Sequence, residues 1–218
     1  MTALLPHERL DAAFRKAVAS WGPPAAARPR EAALAEGTDL TCGAAWEMFE
    51  SMLASRWIDI VSRRMRQRGE GFYTIASSGH EANAVLGRLT EPTDPALLHY
   101  RAGPFFLERA RKRPGTDAVR DILLGVAATA DDPASGGRHK VFGSAALGVW
   151  PQSSTIASHL PKAAGMAFAL DRARRIDPRR GSLRGVPPRD ATRRDAIVVC
   201  SFGAATINPA AAMSGFRA

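Results

Sequence analysis

Cysteine is nearly absent from this chain of 218 residues: only Cys42 and Cys200 occur. Two cysteines so far apart give neither a disulfide framework nor a zinc-ligand spacing. Both read as small buried apolar residues of a reducing compartment. Long apolar runs are also missing, and none approaches the ~20 residues that span a bilayer. The N-terminus carries Glu8 and Asp11 and no continuous apolar stretch, so it does not read as a secretory signal. A cytoplasmic location, with no membrane partner, is the default expectation. Acidic residues are in deficit, with 21 Asp and Glu against 30 Lys and Arg, a net charge of +9. Such a balance raises the class of nucleic-acid binders. The excess is concentrated between Asp171 and Asp195, which hold nine arginines, three prolines, two glycines and no aromatic residue. A groove-binding element needs regular apolar spacing behind its arginines, or aromatics on which bases stack. Lacking both, this stretch reads as a solvated helix end and a loop, which argues against a nucleic-acid partner.

What is present is an ordinary globular composition, 45% hydrophobic and 23% charged, in a chain long enough for one or two domains with a core. Residues 1–37 read as an N-terminal arm with one short helix, Glu8 to Ala19, before the Pro- and Ala-rich stretch around Gly22. Thr38 or Asp39 is placed to cap a long helix that runs to Arg68 and stops at Gly69. Trp46, Phe49, Leu53, Trp57, Ile60 and Val61 recur on it at helical spacing, which predicts a core-facing stripe. A helix is predicted over His80 to Leu89 with Ser77 or Ser78 as its cap, and others over Gly103 to Lys112 and Asp117 to Val126. Thr129 to Pro151 reads as a long loop, and Ser158 to Arg175 as a helix rich in small residues. Ala96 to Tyr100 and Ala196 to Phe202 read as buried strands. The second has the continuous apolar run of a parallel strand covered on both faces. Helices alternating with strands predict an α/β fold, a mostly parallel sheet flanked by helices. Ligands of such sheets lie beyond the carboxyl ends of the strands, here Tyr100-Arg101 and Phe202-Gly203.

Several side chains are candidates for chemistry. Arg101 leaves a strand end just before a Gly-Pro helix start, where a guanidinium can bind phosphate with help from helix amides. Spacing alone favours an ordinary surface ion pair. His80 is expected at a helix N-terminus, which lowers a histidine pKa and keeps a neutral imidazole near pH 7. A lone histidine is as readily structural. Ser154 and Ile156 lie in a segment that, taken bare, reads as a helix cap. His139 stands in a glycine-rich stretch and is given no role.

Three stretches in this order carry a resemblance: Gly71-Phe-Tyr-Thr-Ile-Ala-Ser-Ser-Gly-His-Glu-Ala82, Leu98-His-Tyr-Arg-Ala-Gly-Pro104 and Ser154-Thr-Ile-Ala-Ser-His-Leu-Pro161. Together they resemble the alpha part of the thiamine-diphosphate-dependent 2-oxo acid dehydrogenases, over roughly residues 40 to 208. The nearest likeness is to the branched-chain type and to forms that fuse alpha and beta parts. The resemblance implies a thiamine-diphosphate-binding fold, partial here over residues 38–218 and incomplete at its C-terminus. It implies thiamine diphosphate and Mg²⁺ as cofactors. The partners implied are the beta part of the dehydrogenase, a lipoyl acyltransferase and a 2-oxo acid substrate. It places Tyr100 and Arg101 on the cofactor's diphosphate, Ser154 and Ile156 against its ring system, and His80 in the substrate channel as the catalytic candidate. Gly203 opens the stretch that should lead to the metal.

At that point the chain departs from the pattern. After Ser201-Phe-Gly203 the family has a metal-binding Asp, and this chain has Ala204. The chain ends at Ala218, before the second metal ligand could appear, and Asn208 is too near to replace it. No metal ligand is therefore assigned. The expectation is a truncated relative whose isolated chain is inactive, with a non-enzymatic remnant or assembly partner as the alternative.

Overall fold

The computed structural model describes residues 6–22, 26–72, 76–138, 141–176 and 195–217. His139 and most of the arginine-rich stretch lie outside them. The chain forms two units, residues 1–47 and 48–218.

In the first unit, helix α1 spans Pro6–Ala19, close to the expected start. Leu10, Phe14 and Val18 recur every four residues along one of its faces and are exposed. The chain then turns back on itself. Ala33 bridges Thr41 in an antiparallel pair, and the Arg28 guanidinium donates to the carbonyls of Ala33 and Leu34. Helix α2, Cys42–Gln67, begins here. The Thr41 hydroxyl accepts from the Ala44 amide at 3.1 Å and caps it. Thr38 instead accepts from Leu40 within a turn, so the cap lies two or three residues later than the expected Asp39 or Thr38.

Most of α2 belongs to the second unit, and the expected stripe is inverted up to Trp57, while Ile60 is buried as expected and Val61 is half-buried. Trp46, Phe49, Leu53 and Trp57 are exposed, while Ser51, Ser55, Ile58, Asp59 and Ser62 are buried. The reason lies in what faces them. Helix α4, Gly103–Ala110, carries Glu108 and Arg109, both fully buried. A buried charge must be hydrogen-bonded. Ser51 donates to Glu108 at 2.7 Å, and Arg88 and Arg111 pair with the same carboxylate at 3.3 and 3.2 Å. Ser51 on α2 therefore faces inward because Glu108 of α4 requires hydrogen-bond partners, while Ser55 and Asp59 are bonded to Ser77. At the far end α2 stops as expected at Gly69, whose φ of +74° only glycine adopts without strain.

Helix α3 is short, Asn83–Leu89, and begins three residues after His80. Neither Ser77 nor Ser78 caps it. Strand β1, Ala96–Leu97, lies at the centre of a three-stranded parallel sheet. Helix α5, Ala118–Ala127, starts at Asp117, whose carboxylate accepts from the Arg120 amide. Strand β2, Val149–Trp150, lies in the segment expected to be a structureless loop, and pairs with β1 in the register Ala96–Val149. Helix α6 spans Leu160–Ile176. Strand β3, Val199–Cys200, pairs with β1 on the other side in the register Ala96–Val199. A 3-10 turn, Ala204–Ile207, and helix α7, Ala210–Arg217, follow.

The mixed α/β class and parallel pairing match the reading of the sequence, but the strands are shorter than their apolar runs. Ile197 and Phe202 are exposed, and Cys42 and Cys200 are only half-buried. The sheet is open and supplies few residues to the core. That core is built from Ala96, Leu98, Phe105, Phe106, Ile122 and Val149, with others from the same helices. Among the described residues no helix is long and apolar enough to cross a membrane.

Candidate functional site

All three strands run the same way, so the segments that follow them leave from one edge of the sheet. Residues 98–102 follow β1, 201–203 follow β3, and 151–159 follow β2. A fourth segment, residues 76–80, joins them. The resulting cluster holds four of the six residues proposed from sequence: His80, Tyr100, Arg101 and Gly203.

His99 is its centre. The His80 ring stacks on it with centroids 5.0 Å apart and planes 7° from parallel. The Tyr100 ring leans against His99 with centroids 3.9 Å apart and planes tilted by 33°. The Arg101 guanidinium lies 5.5 Å from the Tyr100 ring centre and donates to the Ala76 carbonyl. The His99 amide donates to the Ser201 hydroxyl at 2.9 Å. From the β2 side, the His159 Nε2–H donates to the Ser201 carbonyl at 2.9 Å. Ser201 thus joins all three strand ends.

The protonation states follow from these bonds. The Arg101 backbone N–H reaches His99 Nδ1 at 3.3 Å. An N–H can only donate, so Nδ1 accepts and the neutral His99 ring carries its proton on Nε2. Burial, reinforced by His80, Arg101 and His159, pushes the His99 pKa down to about 4. His80 is also lowered, first by burial and then by Arg101, against a smaller opposing effect of Glu81. The helix N-terminus expected to act on it is not adjacent, because α3 starts only at Asn83. His159 is lowered by burial as well.

Gly203 lies against these rings. A Cβ there would stand 3.4 Å from His99 Nε2 and 4.0 Å from His80 Cε1, ordinary contact distances. The backbone at residue 203 therefore packs close to both imidazoles. Beneath Tyr100 and Arg101, a small cavity lined by Ser55, Asp59, Ser77 and Phe142 has about 10 Å³ for the centre of a water-sized sphere. This is room for about one water and too little for an organic ligand.

The cluster offers one permanent cation, two neutral imidazoles and a phenol. Among the described residues no carboxylate is paired with Arg101. That is the chemistry of an anion site, in which guanidinium and imidazole N–H groups donate to oxyanions. The other two proposed residues are not brought into it. Ser154 is half-buried, Ile156 is exposed, and their segment reaches the cluster through His159. Ala157, beside them, is fully buried with φ at +68°, a conformation that strains a residue with a Cβ.

The donor set does not suit Mg²⁺. Ala204 presents a methyl group at the start of its 3-10 turn. Among the described residues no three His, Cys, Asp or Glu side chains are grouped to hold a metal. The diphosphate end of the implied cofactor is different, since Tyr100 and Arg101 offer it hydrogen bonds.

Sequence reasoning missed His99, His159 and Ser201. His99 and His159 sit inside the quoted stretches, His99 directly before the Tyr-Arg pair, and Ser201 directly before Phe202-Gly203. The signal of His99 and Ser201 was their position just past strands, and that of His159 its position just before α6.

Comparison with family models and with curated proteins found no match for this chain.

Proposed function

We propose that the carboxyl edge of the sheet is an anion site of the thiamine-diphosphate type, and that the chain is the alpha part of a 2-oxo acid dehydrogenase. The observation that carries this reading is the meeting of Tyr100-Arg101, His80 and Gly203 at one edge of a parallel sheet. Arg101 and Tyr100 would hold the diphosphate, and Gly203 lets the backbone lie close to the two imidazoles. By resemblance, Ser154 and Ile156 would lie toward the thiamine rings. When bound, thiamine diphosphate supplies an electron sink for decarboxylation of a 2-oxo acid. The chain's own part is to hold the anion, keep His80 and His99 neutral near pH 7, and present the His99 Nε2–H on the side of Gly203. The beta part of a dehydrogenase and a lipoyl acyltransferase are the partners this reading implies, and acyl transfer to lipoyl the reaction.

Without a carboxylate at position 204, affinity rests on hydrogen bonds from Arg101 and Tyr100. Charge-assisted bonds contribute about 1.5–3 kcal/mol each, against an ordering cost of several kcal/mol. Binding of thiamine diphosphate is therefore expected in the millimolar range and independent of Mg²⁺. Calorimetric titration with and without Mg²⁺ tests this. Arg101→Met should abolish the binding. Affinity unchanged in that variant would overturn the site, and micromolar Mg²⁺-dependent binding would overturn its lack of a metal ligand.

Ala204 also favours a second reading, a non-catalytic partner that assembles with a dehydrogenase. Decarboxylation of 2-oxo acids by the chain supplied with a beta part would exclude it.

A further inference from the structure

Resting on the reading of Arg101 and His80 as an anion site, we propose that Asp59 of α2 is a positioning residue of that site. It sets the segment that bears His80 and receives Arg101. Asp59 is 9% exposed, and no phosphate-binding or catalytic motif includes it. Its Oδ2 accepts from the Ser77 amide at 2.9 Å and from the Ser77 hydroxyl at 2.8 Å. Arg56 adds a third contact at 3.3 Å. Ser55, one helical turn before Asp59, donates its hydroxyl to Ser77 Oγ at 2.9 Å. Ser77 is thus held through both its backbone and its side chain by one face of α2.

The residues on either side of Ser77 carry the consequence. Ala76 gives its carbonyl to the Arg101 guanidinium. The Ser77 carbonyl accepts from the His80 amide at 2.8 Å, which closes the turn that brings His80 onto His99. Moving Ser77 therefore moves an acceptor of Arg101 and the turn that bears His80. Segments outside regular structure hold their side chains poorly unless anchored. A carboxylate that accepts two hydrogen bonds from one residue is such an anchor. The bonds also explain why an acidic residue sits between Ile58 and Ile60 on the buried side of α2.

The test uses the full chain, with inorganic pyrophosphate as probe and NMR titration of the histidine Cε1–H signals. The charged and titratable groups facing His80 are Arg101, Glu81 and His99, and none of these is altered. Asp59→Ala should weaken pyrophosphate binding about tenfold. It should also return the His80 titration toward the ordinary histidine value. Asp59→Asn keeps an acceptor for the Ser77 amide and should restore most of both. If Asp59→Ala does not fold, Ser77→Ala, which removes one of the two bonds, should shift His80 in the same direction by less. A folded Asp59→Ala or Ser77→Ala with His80 and affinity unchanged would overturn the proposal. If the unaltered chain binds no pyrophosphate, the anion reading fails alone. The His80 titration then still decides whether Asp59 positions the segment.

Discussion

Acid should unfold this protein through His99 before its carboxylates titrate. A histidine with an ordinary pKa near 6.5 in the unfolded chain is held at about 4 in the folded one. Between those values the unfolded state binds more protons, so stability is fully present above pH 6.5 and is lost as pH falls toward 4. A displacement of that size corresponds to about 3 kcal/mol for an isolated, fully dry group. His99 is 6% exposed, but part of its shift comes from His80 and from Arg101, whose effects solvent screens. Allowing for both leaves about 2 kcal/mol. His80 and His159 are lowered too and act with the same sign. Urea unfolding at pH 7.5, 6.0 and 5.0 reads the effect, with the larger loss between pH 6.0 and 5.0, where most aspartates and glutamates are still ionised. His99→Gln should flatten that dependence while leaving the dependence below pH 4.5 in place. An NMR titration placing His99 near 6.5, or an equal slope in His99→Gln, would refute the argument.

Three further outcomes concern the scaffold. Gly148 has φ at +62°, and an added Cβ would meet the Pro92 carbonyl oxygen at 2.0 Å, so Gly148→Ala should cost about 3 kcal/mol or more in urea unfolding. Arg109 donates to Asp94 O at 2.9 Å, to Leu147 O at 3.2 Å and to the Thr90 hydroxyl. Arg109→Met strands these buried acceptors and should lower stability by about 3 kcal/mol, read as a fall in the urea midpoint. On α2, Leu53→Gln should change stability by less than about 0.5 kcal/mol, whereas Ile58→Gln should cost about 2 kcal/mol or more. Equal losses in the two variants would mean that the helix is turned the wrong way.

That last pair marks where the sequence was legible and where it was not. Helices α1, α4 and α5 announced themselves by local means: a periodic face, Pro104 at a helix start, and Asp117 as a cap. Gly69 announced the end of α2 in the same way. The parallel pairing of the segments at Ala96 and Ala196 was legible because apolar runs alternate with helices. The orientation of α2 was not legible. Periodicity reports which residues share a face, and apolar character then assigns that face to the core. On α2 the assignment failed over its first half because the opposing helix buries Glu108, which Ser51 must reach, and a charge removed from water outweighs several partly exposed apolar side chains. No local reading of residues 42–67 contains the information that residue 108 is a buried glutamate more than fifty positions away.

The same reasoning explains the site. Tyr100, Arg101 and Gly203 stood out because strand ends and glycines are visible in a sequence. Asp59 did not, because its meaning depends on Ser77, which is held only once α2 has turned its polar face inward. Two features that looked separate are therefore one. The inversion that exposes Phe49 and Trp57 also brings Ser55 and Asp59 under the segment bearing His80. A helix facing the way its apolar stripe suggests would place Leu53 and Trp57 beneath that segment, with no acceptor for the Ser77 amide and hydroxyl. The polar face of α2 is thus needed twice, by Glu108 on α4 and by the segment that carries His80. A variant that satisfies only the first requirement separates them. Asp59→Leu keeps Ser51 and its bond to Glu108, so the protein should fold with Glu108 still bonded while the His80 signal broadens or shifts. Loss of folding in Asp59→Leu together with retention in Ser51→Ala would reverse that order of importance.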